Sequence, residues 1–226
     1  MKRILCFGDS NTWGYQPVTG LRYEEDVRWT GVLQTLLGDE YRIVEAGING
    51  RTSIFDDPYE PYKNGADAMG YALMQATPLD LVIIMLGSND LNFTDAKGAA
   101  KGVAHLVDIV HNSLGRINKT RMVTGTVQPW AGKVTTKVLL MSPILVHPKL
   151  LEVNPESSIQ QGYEKSLEFA KYYQRVAEAT GSWYLNAAEV AQPSEKDGLH
   201  MEPEGHKMLA QAVAAKVLEI FQNENE

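Results

Sequence analysis

Acyl-transfer chemistry needs a nucleophile, a base and an acid that orients the base, and this sequence holds candidates for all three. Ser10 lies in KRILCFGDSNTWG (residues 2–14), after an apolar run and a glycine. A serine hydroxyl attacks a carbonyl only when a neighbouring base takes its proton. DGLH, residues 197–200, offers that base. Its three-residue spacing, with a glycine inside, lets the Asp197 carboxylate fold back onto His200 and leaves the other ring nitrogen for Ser10. Of the other histidines, His105 and His111 fall in a helical stretch, His147 precedes a proline, and His206 has no aspartate at comparable spacing. The developing oxyanion needs hydrogen-bond donors. The N–H of Ser10, the N–H of Gly50 in AGINGRTS and the amide of Asn89 in GSND are the candidates. Trp13 and Phe55 are candidates to line an acyl or alcohol pocket. Each residue also has a plainer reading. Asp-Ser-Asn is ordinary turn chemistry, Asn89 suits a cap, and Asp9 and Asp90 suit turns or ion pairs.

What favours a shared site is the set of elements that must position these residues. Short apolar runs at residues 4–7, 41–45, 79–86, 137–141 and 182–185 read as strands. Between them, residues 28–37, 65–75, 95–114 and 159–180 have helical character, and a last helix starts near Pro203. Residues 15–26, 118–136 and 145–158 read as loops, the second long enough to suggest a functional role. Strands alternating with helices predict an α/β fold. The expectation is a single domain over residues 1–226, with a doubly wound, flavodoxin-like parallel five-stranded sheet in the order 2-1-3-4-5 and helices on both faces. Right-handed crossovers then bring all strand carboxyl ends to one edge. Ser10, the Gly47–Gly50 turn and Asn89 share that edge, and the switch point between the first and third strands separates Ser10 from Asn89 by one crevice.

Composition narrows the partners. The chain has 226 residues, 44% hydrophobic and 22% charged, with a formal net charge of -7. That charge argues against nucleic-acid phosphate as a partner. The single cysteine, Cys6, allows neither an internal disulfide nor a cysteine-based metal site. No signal peptide and no apolar run of membrane-spanning length is visible, so the expected setting is cytoplasmic, without a membrane.

GDS at residues 8–10, Gly50 of ING, Asn89 of GSND and DGLH, in this order, resemble the four blocks of the SGNH, or GDSL, hydrolases. RILCFGDS with TWG, DVRWTGVL, GRTS before DDP, and LDLVIIMLG before ND are similar to the bacterial arylesterase and acyltransferase subgroup. The resemblance implies a serine esterase acting on short acyl, acetyl or aryl esters, with transfer to water or an alcohol and no metal or other cofactor. It also implies a homo-oligomer whose neighbouring subunits narrow the active-site mouth. An acetylated sugar fits as well as a simple alkyl or aryl acetate. Two other classes stay open on the residues alone. One is a metal-dependent phosphoesterase using Asp9, Asn89, Asp90 and His200 as ligands. The other is a non-catalytic flavodoxin-like binding module.

Overall fold

The computed structural model describes residues 1–123 and 136–222. Five strands form one parallel sheet: β1 (Lys2–Gly8), β2 (Tyr41–Gly47), β3 (Leu81–Met85), β4 (Lys137–Ser142) and β5 (Trp183–Asn186). Their order is β2-β1-β3-β4-β5, as the strand and helix pattern predicts. β3, LVIIM, is buried at every position because helices cover both of its faces.

Side-chain alternation along the strands divides the core into two layers. Leu5, Phe7, Val82, Ile84, Val138 and Leu140 pack against α3 (Gly65–Ala76), α4 (Ala96–Val123) and α7 (Phe169–Thr180). Ile4, Cys6, Ile83, Leu139 and Met141 pack against α2 (Trp29–Leu37) and α8 (Pro203–Gln222). The sheet is thus held rigidly from both sides, and its carboxyl edge is a fixed platform for the segments that follow each strand.

Four local expectations need correction. The residues after β1, where Asp-Ser-Asn reads as a turn, form a four-residue helix, α1 (Ser10–Trp13), begun by Asp9 and ended by Gly14 at φ 91°. The helix expected over 95–114 continues to Val123 and absorbs the start of the loop expected at 118–136. From Ala96 onward no proline occurs before Pro129, and extending a formed helix costs far less than starting one. Residues 124–135 of that expected loop lie outside the described residues. The segment 159–180 is two helices, α6 (Gly162–Ser166) and α7. Ser166 Oγ donates to the Tyr163 carbonyl at 2.7 Å and accepts from Val146 N at 3.1 Å, competing with the helical ladder at the break. Residues 145–158 include a short helix, α5 (Leu150–Val153). Among the described residues, no helix is long and apolar enough to cross a membrane.

Candidate active site

One half of the site is built from short-range bonds. β1 delivers the chain to Asp9, whose carboxylate accepts from Asn11 N at 3.0 Å and caps α1. Ser10 is the first residue of that helix, so its side chain stands at the sheet edge. α1 lies so close to β2 that a Cβ on Gly47 would overlap the backbone of Thr12 and Trp13. On the other side, residues 197–200 turn through Gly198 at φ 75°. Asp197 Oδ1 accepts from the N–H groups of Leu199 and His200, both at 3.0 Å, and Oδ2 pairs with His200 Nδ1 at 2.7 Å. His200 Nε2 lies 2.9 Å from Ser10 Oγ.

Protonation follows from these partners. Burial pushes the Asp197 carboxyl up, but the hydrogen bond and charge of His200 and the two backbone N–H bonds outweigh it, leaving the pKa below the usual carboxylate value. An ionised Asp197 can only accept, so Nδ1 donates to it and Nε2 accepts from the Ser10 hydroxyl. The Tyr15 ring stacks on the imidazole with centroids 4.1 Å apart and 28° between planes.

The other half is built from long-range bonds among the ends of β1, β2 and β3. Gly50 has φ 73°, a conformation open to glycine, in the turn after β2. The Arg51 guanidinium turns back beneath it. Nη1 donates to the Gly8 carbonyl at 3.0 Å and to the Ala46 carbonyl, and the group lies 4.1 Å over the Phe7 ring. The Arg51 carbonyl accepts one amide hydrogen of Asn89 at 3.0 Å, leaving the second amide hydrogen for another acceptor. Asp90 takes bonds from Ser53 N at 3.0 Å and from Ser53 Oγ, locking the segment after β3 to the segment after β2. The N–H groups of Ser10 and Gly50 have no hydrogen-bond acceptor among the described residues.

Buried charges lie beneath both halves. Burial pushes Asp9 up to about 6, opposed by the Asn11 N–H and by the charges of His200 and Arg51. Asp90 is likewise pushed up to about 6 by burial, against its Ser53 bonds, with the charge of Asp9 adding to the rise. Burial pulls Arg51 down to about 10, opposed by Asp9. His206 is fully buried and pushed down to about 4 by burial and by the charges of His200 and Arg28.

The structure brings Ser10, Asp197 and His200 into one hydrogen-bonded line and sets Asn89 beside the Gly50–Arg51 turn. Trp13 ends the same short helix that Ser10 begins, and Phe55 follows the Gly50 turn. The Trp13 ring lies 6.5 Å from Tyr15, the ring stacked on His200, and Phe55 stacks on Phe93 at 5.3 Å with 5° between planes. The side chains considered as metal ligands serve different partners. Asp9 caps α1, Asp90 holds Ser53, Asn89 holds Arg51, and His200 joins Asp197 to Ser10. Sequence reading assigned no role to Arg51, Ser53 or Asn11. Their signal was adjacency: each lies within three residues of a candidate site residue.

A sequence model of the GDSL-like lipase/acylhydrolase family matches residues 6–208. No curated protein matches. Among solved structures, a carbohydrate acetylesterase from Sinorhizobium meliloti is similar, with 34% identity over 97% of this chain and 100% of that one and a TM-score of 0.86. The native aryl esterase of M. smegmatis has 35% identity over 97% of this chain and 99% of that one, with a TM-score of 0.83. An inhibitor-bound form of the M. smegmatis enzyme has 33% identity over the same shares and a TM-score of 0.84.

Proposed function

The chain belongs to the GDSL-like lipase/acylhydrolase family, and from that premise we propose that it is a serine esterase for short-acyl esters that works through an acyl-enzyme on Ser10. The observation that carries this reading is the line Ser10 Oγ, His200 Nε2 at 2.9 Å, His200 Nδ1, Asp197 Oδ2 at 2.7 Å. Ser10 Oγ attacks the ester carbonyl as its proton passes to His200 Nε2. Asp197 holds the required tautomer and supports the imidazolium that forms. The negative charge on the carbonyl oxygen meets the N–H groups of Ser10 and Gly50 and the second amide hydrogen of Asn89. Collapse breaks the bond to the alkoxy oxygen, which takes the proton from His200. Water or an alcohol then attacks the acyl-enzyme by the same steps in reverse.

The substrate class is a small acetyl or aryl ester. The similarity to an aryl esterase and to a carbohydrate acetylesterase supports both an aryl acetate and an acetylated sugar as the natural ester. Transfer to alcohols belongs to the same reading. It is supported by the aromatic surface around the site, Tyr15 on His200 and the Phe55–Phe93 stack, with Phe93 46% exposed. Such surface favours a bound alcohol over ordered water at the acyl-enzyme. The active form is a homo-oligomer, a reading supported by exposed Tyr59, Tyr62, Tyr71 and Met74 on and before α3.

The test is pre-steady-state kinetics with 4-nitrophenyl acetate. A burst of one nitrophenol per chain, lost in Ser10→Ala, is the expected result. Turnover in Ser10→Ala at the wild-type rate would overturn the assignment. Adding benzyl alcohol to vinyl acetate should give more ester than the bulk alcohol-to-water ratio predicts.

A further inference from the structure

We propose that Asn11 is the positioning residue that registers the Asp197–His200 pair on the nucleophile. This inference rests on the assignment of Ser10 and His200 as nucleophile and base. Asn11 follows Ser10 on α1 and is 5% exposed. Its Nδ2 donates to the Leu199 carbonyl at 3.1 Å, and its Oδ1 accepts from the Met201 N–H at 3.0 Å. These two backbone groups belong to the peptide units on either side of the His200 α-carbon. One planar amide therefore holds His200 by both of its peptide bonds, from a residue covalently next to Ser10.

The Asp197–His200 turn needs such an outside hold. Three bonds from Asp197 to Leu199 and His200 fix the turn internally, but they say nothing about where it sits relative to Ser10. Its other backbone ties run elsewhere: His147 N bonds the Gly198 carbonyl at 2.9 Å and Ser194 N bonds the His200 carbonyl at 2.7 Å. The catalytic distance spans 190 residues of sequence separation, as do the Asn11 bonds to within two residues. Asn11 is itself fixed at its backbone by the Asp9 carboxylate, so Ser10 and the Asn11 side chain move as one unit.

Asparagine is specified by this geometry. Aspartate keeps the acceptor for Met201 and loses the donor for Leu199. Leucine, of similar shape, loses both. A shift of the turn by about 1 Å would lengthen the bond between Nε2 and Oγ beyond productive reach and cost about 10²-fold in rate.

A double-mutant cycle tests the role, with Asn11→Leu and His200→Ala made singly and together in the full chain. Ser10 acylation by 4-nitrophenyl acetate is read in each, beside the thermal midpoint. Asn11→Leu is expected to lower kcat by about 10²-fold with KM nearly unchanged. In the His200→Ala background the same substitution is expected to change acylation by no more than about twofold, because the group it positions is gone. Asn11→Asp, which keeps one of the two bonds, is expected to fall between wild type and Asn11→Leu, and it carries the test should the leucine variant not fold. An equal loss in both backgrounds would overturn the proposal, since Asn11 would then act on the fold or on the oxyanion donors. No loss in either single variant would overturn it as well. Wild-type acylation by His200→Ala would overturn the assignment of the base, a result distinct from both.

Discussion

The two halves of the site are made in opposite ways. The Asp197–His200 turn is closed by three hydrogen bonds within four residues, and its carboxyl is held below its ordinary pKa by the partners it meets there. The Gly50–Asn89 half is assembled from three strand ends, through Arg51 to Gly8 and Ala46, Asn89 to Arg51, and Ser53 to Asp90. Its carboxyl, Asp90, is fully buried and held above its ordinary pKa. The difference teaches that the proposed base is a local motif carried on a turn, whereas the proposed oxyanion donors depend on the sheet edge as a whole. Damage to the first should leave the fold intact, and damage beneath the second should not.

The largest effect should come from the local half. Asp197→Asn is expected to lower kcat by about 10⁴-fold with KM little changed, since the amide favours the wrong imidazole tautomer; steady-state kinetics with an aryl acetate reads this. An equal effect on KM would mean the turn also shapes substrate binding. Asn89→Ala is expected to lower kcat by about 10²–10³-fold, because its free amide hydrogen meets charge that develops only in the transition state. Arg51→Met separates the halves in a different currency. Its loss removes the guanidinium hydrogen bonds to the Gly8 and Ala46 carbonyls, Gly8 keeping its bond from Ile48 N, at about 1.5–3 kcal/mol for a bond from a charged group, so denaturant unfolding should report a stability loss alongside reduced kcat. Asp197→Asn should show no comparable loss at neutral pH.

The smallest effect is in pH dependence, where the two carboxyls should have opposite signs. Asp90 has a folded pKa of about 6, above the unfolded value, so the folded state binds the extra proton. Its contribution to stability is fully present below the unfolded pKa and is lost as pH rises towards about 6. Asp197, depressed in the fold, contributes stability that is present above its unfolded pKa and is lost as pH falls through the folded one. Denaturant midpoints of Asp90→Asn across pH 4 to 7 should therefore lack part of the wild-type decline. Those of Asp197→Asn should lack part of the wild-type gain as pH rises through the acid range below about pH 4, the unfolded value of an aspartate.

The same contrast explains what was legible in the sequence. DGLH could be read because the spacing of Asp197, Gly198 and His200 contains the geometry. The strand order could be read because apolar runs such as LDLVIIML allow little besides buried parallel strands. Arg51, Ser53 and Asn11 could not be read, because their partners lie on other strands or 190 residues away, and no local period marks such bonds. The break between α6 and α7 was missed for the same reason, since Ser166 finds its partner in Val146. Trp13 and Phe55 are candidates from apolar character beside the site blocks, and their ring partners Tyr15 and Phe93 carry no mark in the local sequence.

The central claim is that Ser10 is a nucleophile made reactive by His200 at 2.9 Å. The most direct measurement is covalent labelling with a small phosphonofluoridate, followed by peptide mass spectrometry on wild type and His200→Ala. The account predicts one adduct per chain on the peptide carrying Ser10, formed at least about 10²-fold more slowly in His200→Ala. Ester turnover that survives full exposure to the reagent, or an adduct on any other residue that abolishes turnover, would contradict it.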